Sequence, residues 1–246
     1  MALQPWQKGI ISRIEDETYN TRRFWLTIPD IASFDFIPGQ FITLDLPIAE
    51  KINKRVRSYS IASWPDGSNV IELLIVLLEK GAGSSYLFNE VQVGSELTFR
   101  GPQGVFTLPD PIDTDLYFIC TGTGIAPFRS MLNHIRLHEV PHRNIYLIFG
   151  TRTRQDLLYH KEMRALEQEV EKFEYIPTLS REQWEGCTGY VHKIYESLVR
   201  EKMNGSVVPP PSRFYLCGWK NMIDEAKQRI IALGYDRKAI HQELYG

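Results

Sequence analysis

The chain has 246 residues, room for one large domain or two of ordinary size, and its hydrophobic share of 43% suits a globular protein with a real core. A formal net charge of −2 leaves no broad basic footprint for nucleic acid. No apolar run approaches the roughly 20 residues that cross a bilayer, and Met1-Ala2-Leu3-Gln4-Pro5-Trp6 lacks the basic and apolar regions of a signal peptide, so the expected location is cytoplasmic.

Residues 1–109 read as β-structure. Phe24–Ile28, Phe41–Leu46 and Val70–Leu77 are rich in β-branched and aromatic residues. Pro38-Gly39, Pro65-Asp66-Gly67 and Gly101-Pro102 supply the turns between them. Many short strands with little helical periodicity predict a small antiparallel β-barrel.

Residues 110–246 follow a different pattern, a βα alternation that predicts an α/β domain with a parallel five-stranded sheet covered on both faces. The expected strands are 116–120, 145–150, 175–179, 214–217 and 241–244. Phe128, Met131, Leu132 and Ile135 repeat at i, i+3, i+4 and i+7, the mark of an amphipathic helix. Further helices are expected near 159–171, 192–203 and 221–233. The boundary falls in Leu108-Pro109-Asp110-Pro111-Ile112-Asp113.

Cys120, Cys187 and Cys217 are scattered, form no C-x-x-C pair, and cannot supply the four thiolates of an ordinary iron–sulfur cluster. The six histidines show no H-E-x-x-H spacing, so no protein-bound catalytic metal is expected.

The chemistry concentrates in short segments. Arg57-Ser58-Tyr59-Ser60-Ile61-Ala62-Ser63 places a cation, a ring and hydroxyls on one strand, with Arg57, Tyr59 and Ile61 on one face and Ser58 and Ser60 on the other. An arginine suits a phosphate, a tyrosine a flat ring and a hydroxyl a ring nitrogen; a flavin nucleotide offers all three. Read alone, the same residues make an ordinary strand with an exposed arginine. Gly81-Ala82-Gly83-Ser84-Ser85-Tyr86-Leu87 reads either as a loop whose glycines let a pyrophosphate approach a helix N-terminus, or as a flexible loop capped by Ser84 or Ser85. Thr121-Gly122-Thr123-Gly124-Ile125-Ala126-Pro127-Phe128 follows a strand and opens a helix, with Pro127 in an N1-like place. It lacks the third glycine of G-x-G-x-x-G and a clear ribose-binding acid.

These segments, in this order, resemble the ferredoxin–NADP reductase superfamily. Arg57–Ser60 matches its R-x-Y-S signature, Pro38-Gly39-Gln40-Phe41 its P-G-Q-[FY] segment and Gly81–Leu87 its G-x-x-S-x-x-L loop. Gly101-Pro102-Gln103-Gly104-Val105-Phe106 matches G-P-x-G-x-F, Thr121–Pro127 the nicotinamide-nucleotide loop, and Cys217-Gly218-Trp219-Lys220-Asn221-Met222 the segment C-G-x-x-x-M. The resemblance implies an FAD-binding barrel, a nicotinamide-nucleotide domain, and hydride transfer between NADPH and FAD with single electrons passed to or from ferredoxin or flavodoxin.

By the same resemblance, Arg57, Ser58, Tyr59, Gly83, Ser84 and Ser85 hold FAD, and Ser60 makes a hydrogen bond near flavin N5. Thr123, Gly124, Pro127, Ser180, Arg181, Cys217 and Gly218 hold the nicotinamide nucleotide. Cys217 approaches the nicotinamide ring, though its residues alone read equally as a buried cysteine beside a glycine turn. Glu243 and Tyr245 match the acidic residue and terminal tyrosine that close plant-type members, where the tyrosine stacks on the flavin; Gly246 extends past it. Ser180-Arg181-Glu182 resembles the segment that holds the 2′-phosphate of NADP. The downstream G-R-x-Y is absent, with Gly189-Tyr190-Val191-His192 in its place and Arg152 or Arg154 able to compensate, so NADPH is the preferred donor and NADH the alternative. Lys51, Lys54 and Arg55 form a candidate docking patch for an acidic carrier. The chain is expected to be a monomer. The alternatives are an NAD(P)H-dependent flavin reductase or reductase component of an oxygenase, and an FAD-binding electron-transfer subunit of a larger complex.

Overall fold

The computed structural model describes residues 4–245, with the Tyr245 side chain and Gly246 outside the described residues. The chain divides into two compact units. The first comprises residues 1–107 with 126–134, and the second residues 108–125 with 135–246.

The first unit carries β1 (Gln7–Thr18), β2 (Thr21–Thr27), β3 (Phe41–Asp45), the short helix α1 (Ile52–Arg55), β4 (Val56–Ser60), β5 (Val70–Val76), α2 (Ala82–Asn89) and β6 (Glu96–Gln103). The strands form one antiparallel sheet in the order β4-β3-β6-β1-β2-β5. Alternation works as expected on its core face: Ile11, Phe24, Leu26, Ile42, Leu44, Leu73 and Phe99 are fully buried in one cluster. The expected closed barrel is not formed. The edge strands meet at a single bridge, Ile61 to Leu73, with a further hydrogen bond from the Ala62 N–H to the Glu72 carbonyl. Beyond it, Trp64-Pro65-Asp66-Gly67 turns the chain away, and Pro65 has no N–H with which to extend a ladder.

The second unit is a parallel sheet in the order β10-β9-β8-β7-β11-β12. Its strands are β7 (Asp115–Thr121), β8 (Ile145–Thr151), β9 (Phe173–Leu179), β10 (Cys187–Thr188), β11 (Ser212–Trp219) and β12 (Ile240–Tyr245). Between β7 and β8 runs α3 (Ala126–Leu137), whose residues 126–134 belong to the first unit; the helices of the second unit are α4 (His160–Glu169), α5 (Val191–Met203) and α6 (Lys220–Ala232). Helices α5 and α6 bury Val191, Tyr195, Val199, Ile223, Ala226 and Ile230 against Tyr117, Ile119, Phe214 and Leu216 on one face. On the other face α4 meets Tyr175, whose ring lies 5.6 Å from that of His160 and whose carbonyl accepts from Arg164. Six strands stand where five were expected. The extra one, β10, has two exposed residues and pairs only Cys187 with Thr178 and Thr188 with Leu179, too short for any periodicity to announce it. The strand order reverses at β7, with β8 on one side and β11 on the other, and ligands of open α/β sheets bind at the C-terminal ends of strands at such a point.

Among the described residues no helix is long and apolar enough to cross a membrane.

Candidate functional site

In the first unit, β4 brings Arg57 to the start of α2. A Cβ built on Gly83 would lie 3.0 Å from Arg57 Cγ and 3.3 Å from its Nε, so the arginine's stem rests close against this helix turn and a larger residue there would crowd it. Arg57 Nη1 donates to the carbonyls of Lys54 (3.0 Å) and Val56 (2.7 Å), which hold the group in place. The first turn of α2 has no side-chain cap: Gly81 occupies the cap position, and the Ser85 N–H closes the first helical bond onto the Gly81 carbonyl at 2.9 Å. The preceding N–H groups have no intrahelical acceptor. An arginine beside an uncapped helix N-terminus is a site for a phosphate dianion.

Ser84 uses its hydroxyl within the loop. Its hydroxyl donates to the Gly81 carbonyl at 3.0 Å and accepts from the Leu78 N–H at 3.1 Å, so it braces the loop. Ser58 is exposed and shares a hydrogen bond with Thr43 at 3.0 Å, its partner across β3. Tyr59 is half-buried against the core, and burial pushes its phenol up to about 12 despite the opposing pull of Arg57, so the ring stays neutral at ordinary pH. Ser60 is buried at the end of β4.

The P-G-Q and G-P-x-G-x-F segments meet and brace this strand. Gly39, at φ +100°, could not carry a Cβ, which would fall 1.9 Å from the Phe106 carbonyl oxygen and 2.5 Å from Met131 Cε. Gln40 Nε2 donates to the Gly104 carbonyl at 3.3 Å. Neither segment offers chemistry of its own; the first leads into β3, and its Gln40 carbonyl accepts the Ile61 N–H at 3.0 Å just past β4.

In the second unit, the loop Gly122–Ile125 forms a 3-10 turn between β7 and α3, and Pro127 falls in the first turn of α3. Gly124 is pressed onto β11: its Cβ would lie 2.3 Å from the Cys217 carbonyl oxygen. Gly218, at φ +147°, is pressed back, since its Cβ would lie 2.3 Å from Thr121 Oγ1. Thr121 Oγ1 is itself buried and has no hydrogen-bond partner among the described residues. Cys217 is fully buried at the end of β11, level with Cys120 on β7 and with Glu243 on β12. Cysteine, glycine, glycine loop and Glu243 thus share one end of the sheet. The expected stacking by Tyr245 concerns a side chain outside the described residues, and its backbone pairs with Trp219. Thr121 stands in the motif but is not among the residues that the resemblance assigns to the nucleotide. Its place as the last residue of β7 beside the glycines was the available signal.

The ends of β8 and β9 carry the cations. The Arg181 N–H donates to the Arg152 carbonyl at 2.9 Å, which sets two exposed arginines side by side. The Ser180 hydroxyl donates inward to the Thr151 carbonyl at 3.2 Å. Arg154 is engaged elsewhere: its guanidinium pairs with Glu185, and its N–H donates to Glu182 at 2.8 Å. His192, which stands where the plant-type pattern has tyrosine, is buried, with Nδ1 3.0 Å from the Tyr195 hydroxyl. It belongs to the packing of α5, away from solvent.

The donor sets fit the two cofactors. The arginine–helix site with a neutral tyrosine and hydroxyls on the adjoining strand suits a flavin nucleotide, and the cradle of glycines with an unpartnered buried Thr121 hydroxyl suits a second dinucleotide. The fold and these sites define a two-domain oxidoreductase that binds flavin and nicotinamide nucleotides.

Comparison with known proteins agrees. Residues 8–108 match the model of the oxidoreductase FAD-binding domain, and residues 118–228 that of the oxidoreductase NAD-binding domain. Ferredoxin–NADP reductase B of Sorangium cellulosum is 37% identical over 220 residues, covering 88% of both chains. The electron transfer component of anthranilate 1,2-dioxygenase of Acinetobacter baylyi is 34% identical over 200 residues, covering 80% of this chain and 54% of that one. The chain therefore spans about half of that component's length. Among solved structures, the Neisseria gonorrhoeae ferredoxin NADP+ reductase with bound FAD and NADP has a TM-score of 0.79 at 24% identity, with 97% of this chain and 98% of that one covered. Amycolatopsis cytochrome P450 reductase GcoB has a TM-score of 0.85 at 24% identity, covering 99% and 71%. The chain belongs to the ferredoxin–NADP reductase-like family of FAD-dependent oxidoreductases.

Proposed function

We propose that this chain transfers a hydride between NADPH and FAD and exchanges single electrons with a ferredoxin or flavodoxin. The observation that carries the reading is the 37% identity, over 88% of both chains, to a relative named as a ferredoxin–NADP reductase. When bound, FAD supplies the exchange between two-electron and one-electron chemistry.

The chain's own residues bind and orient. Arg57 and the first turn of α2 hold the flavin pyrophosphate, Tyr59 offers a neutral ring face, and the Ser60 hydroxyl makes a hydrogen bond near N5. The loop 121–127 receives the nicotinamide nucleotide's pyrophosphate, with Cys217, Gly218 and Glu243 at the same sheet end. Cys217 serves by shape. No nucleophile's part is assigned to it. Arg181 and Arg152 grip the 2′-phosphate, which favours NADPH over NADH. On the proposed docking surface Lys51, Ile52 and Lys54 are exposed, while Arg55 is taken up by Asp45 at 2.7 Å. Two lysines around an apolar residue suit an acidic carrier. We place the domain boundary after residue 109, the protein in the cytoplasm and the active species as a monomer.

A second reading, the reductase component of an oxygenase, is supported by the 34% identity to the anthranilate dioxygenase component. One assay separates the two: NADPH oxidation with ferredoxin, flavodoxin, free flavin and a dye as alternative acceptors. Fast turnover with ferredoxin or flavodoxin supports the main reading. Turnover confined to free flavin or dye would remove it.

A further inference from the structure

Arg129 lies two residues beyond Pro127, on the first turns of α3, and those turns belong to the first compact unit. Its Nη1 donates to the Ala62 carbonyl at 2.9 Å and to Glu72 Oε2 at 3.0 Å, and its guanidinium carbon stands 5.2 Å from the centre of the Trp64 ring. Glu72 on β5 is held from the other side by Arg23 on β2, with Nε to Oε1 at 2.6 Å and Nη2 to Oε2 at 3.1 Å. Both Arg129 and Glu72 are buried, 4% and 3% exposed. Ala62 continues the strand of Arg57–Ser60, and its neighbour Ser63 accepts the Glu72 N–H at 3.0 Å.

A buried ion pair is poor value as a stabiliser, because desolvating two charges costs about what their attraction returns. Its use lies in fixing one arrangement among several. Here the arrangement fixed is specific: a cation on the helix that grows directly out of the nucleotide loop 121–127 holds the carbonyl of the strand that carries the flavin residues. No residue of either cofactor site takes part in the pair, so it acts through others.

Resting on the cofactor assignment above, we propose that Arg129 is a positioning residue that couples the two cofactor sites, so that NADP+ at the loop and FAD on the β4 strand each strengthen the other's binding. A nucleotide that orders the loop orders the start of α3, and through Arg129 the Ala62 carbonyl and Glu72. Linkage makes the effect reciprocal, so it can be read from either ligand.

The test uses the FAD-loaded full chain, with FAD release followed by recovery of flavin fluorescence on dilution, with and without saturating NADP+. The wild type is expected to hold FAD at least about fivefold more tightly with NADP+, the lower end of ordinary coupling. Arg129→Met is expected to reduce the factor to below about twofold, and Arg129→Lys to restore part of it. Arg136→Met, which removes the ion pair to Glu169 from the same helix, is expected to keep the wild-type factor. An unchanged factor in Arg129→Met overturns the proposal, as does no factor in the wild type or an equal loss in Arg136→Met. If Arg129→Met does not fold, Glu72→Gln replaces it, keeping an acceptor without the charge, and a retained factor there is equally fatal. A chain that takes up neither cofactor overturns the functional reading as well, whereas independent binding of both overturns the coupling alone.

Discussion

Gly124 and the Cys217 carbonyl are in direct contact across the end of the parallel sheet, with room for a hydrogen and none for a methyl group. A Cβ at 2.3 Å from a backbone oxygen cannot be absorbed by rotating a side chain, so Gly124→Ala must move either the loop or β11. We expect KM for NADPH to rise at least about tenfold, equivalent to about 1.4 kcal/mol. The flavin spectrum should stay as in the wild type. Steady-state kinetics check it, and an unchanged KM would detach this loop from the nucleotide.

Arg181 is exposed beside Arg152 and aligned with it through the backbone. A charge-assisted bond to a phosphate contributes about 1.5–3 kcal/mol, so Arg181→Ala should raise KM for NADPH by roughly tenfold to a hundredfold. KM for NADH should hardly change. Comparable kcat/KM with both nucleotides in the wild type would overturn the NADPH preference.

Ser60 sits at the end of β4, where its hydroxyl is expected to bond near flavin N5. Ser60→Ala should slow flavin reduction by NADPH about tenfold, the worth of one hydrogen bond, with a smaller effect on FAD affinity. Stopped-flow bleaching of the yellow protein measures it. An unaffected rate would take Ser60 out of the mechanism.

Charge reversal at Lys51 and Lys54 should lower ferredoxin-linked turnover about tenfold at low salt, through lost steering. The deficit should shrink as salt approaches physiological strength, where the screening length falls to about 8 Å. Turnover with a small dye is the control. Equal ferredoxin turnover at every ionic strength would move docking elsewhere.

Burial lowers the pKa of His160, His192 and His241 in the second unit, with Arg164 adding to it at His160, Arg213 at His241, and Glu225 opposing it at His192. A histidine kept neutral by the fold gives stability that is whole above its unfolded pKa of about 6.5 and is lost as pH falls through the lower folded value. Tm should therefore drop between pH 6.5 and pH 5. His241→Phe keeps a ring stacked on Tyr215, now 4.5 Å from the histidine, and should make that drop shallower. A drop as steep as the wild type's would clear His241 of the effect.

The segments of the candidate site were legible because each is contiguous in the chain. Thr121–Pro127 carries a strand end, a turn and a helix start within a few residues, Gly81–Leu87 a cap and a helix start, and Arg57–Ser60 lies within one strand, so each is local in the chain. Side-chain direction was not. Nothing in Ser84 or Ser180 announces that its hydroxyl turns back to a carbonyl of its own loop or of a neighbouring strand. The six-strand count failed at β10 because two residues have no period. The single bridge at Ile61 and Leu73 depends on where Pro65 turns, which strand propensity does not encode. The pair of Glu72 and Arg129 is separated by 57 positions, and no pattern along the chain joins a charged residue in one run of strands to another on a later helix.

The place of α3 bears on how the protein can be cut. A fragment ending at residue 108, where the family's flavin-domain model stops, leaves out residues 126–134. It would lose one of the two guanidiniums that hold Glu72, keeping only that of Arg23, and the methionine that lies against Gly39. A chimera that takes its first hundred residues from one parent and α3 from another meets the same conflict, unless both parents bring a matching acid and base. The unit that can be exchanged is therefore discontinuous, and a crossover within the linker does not respect it.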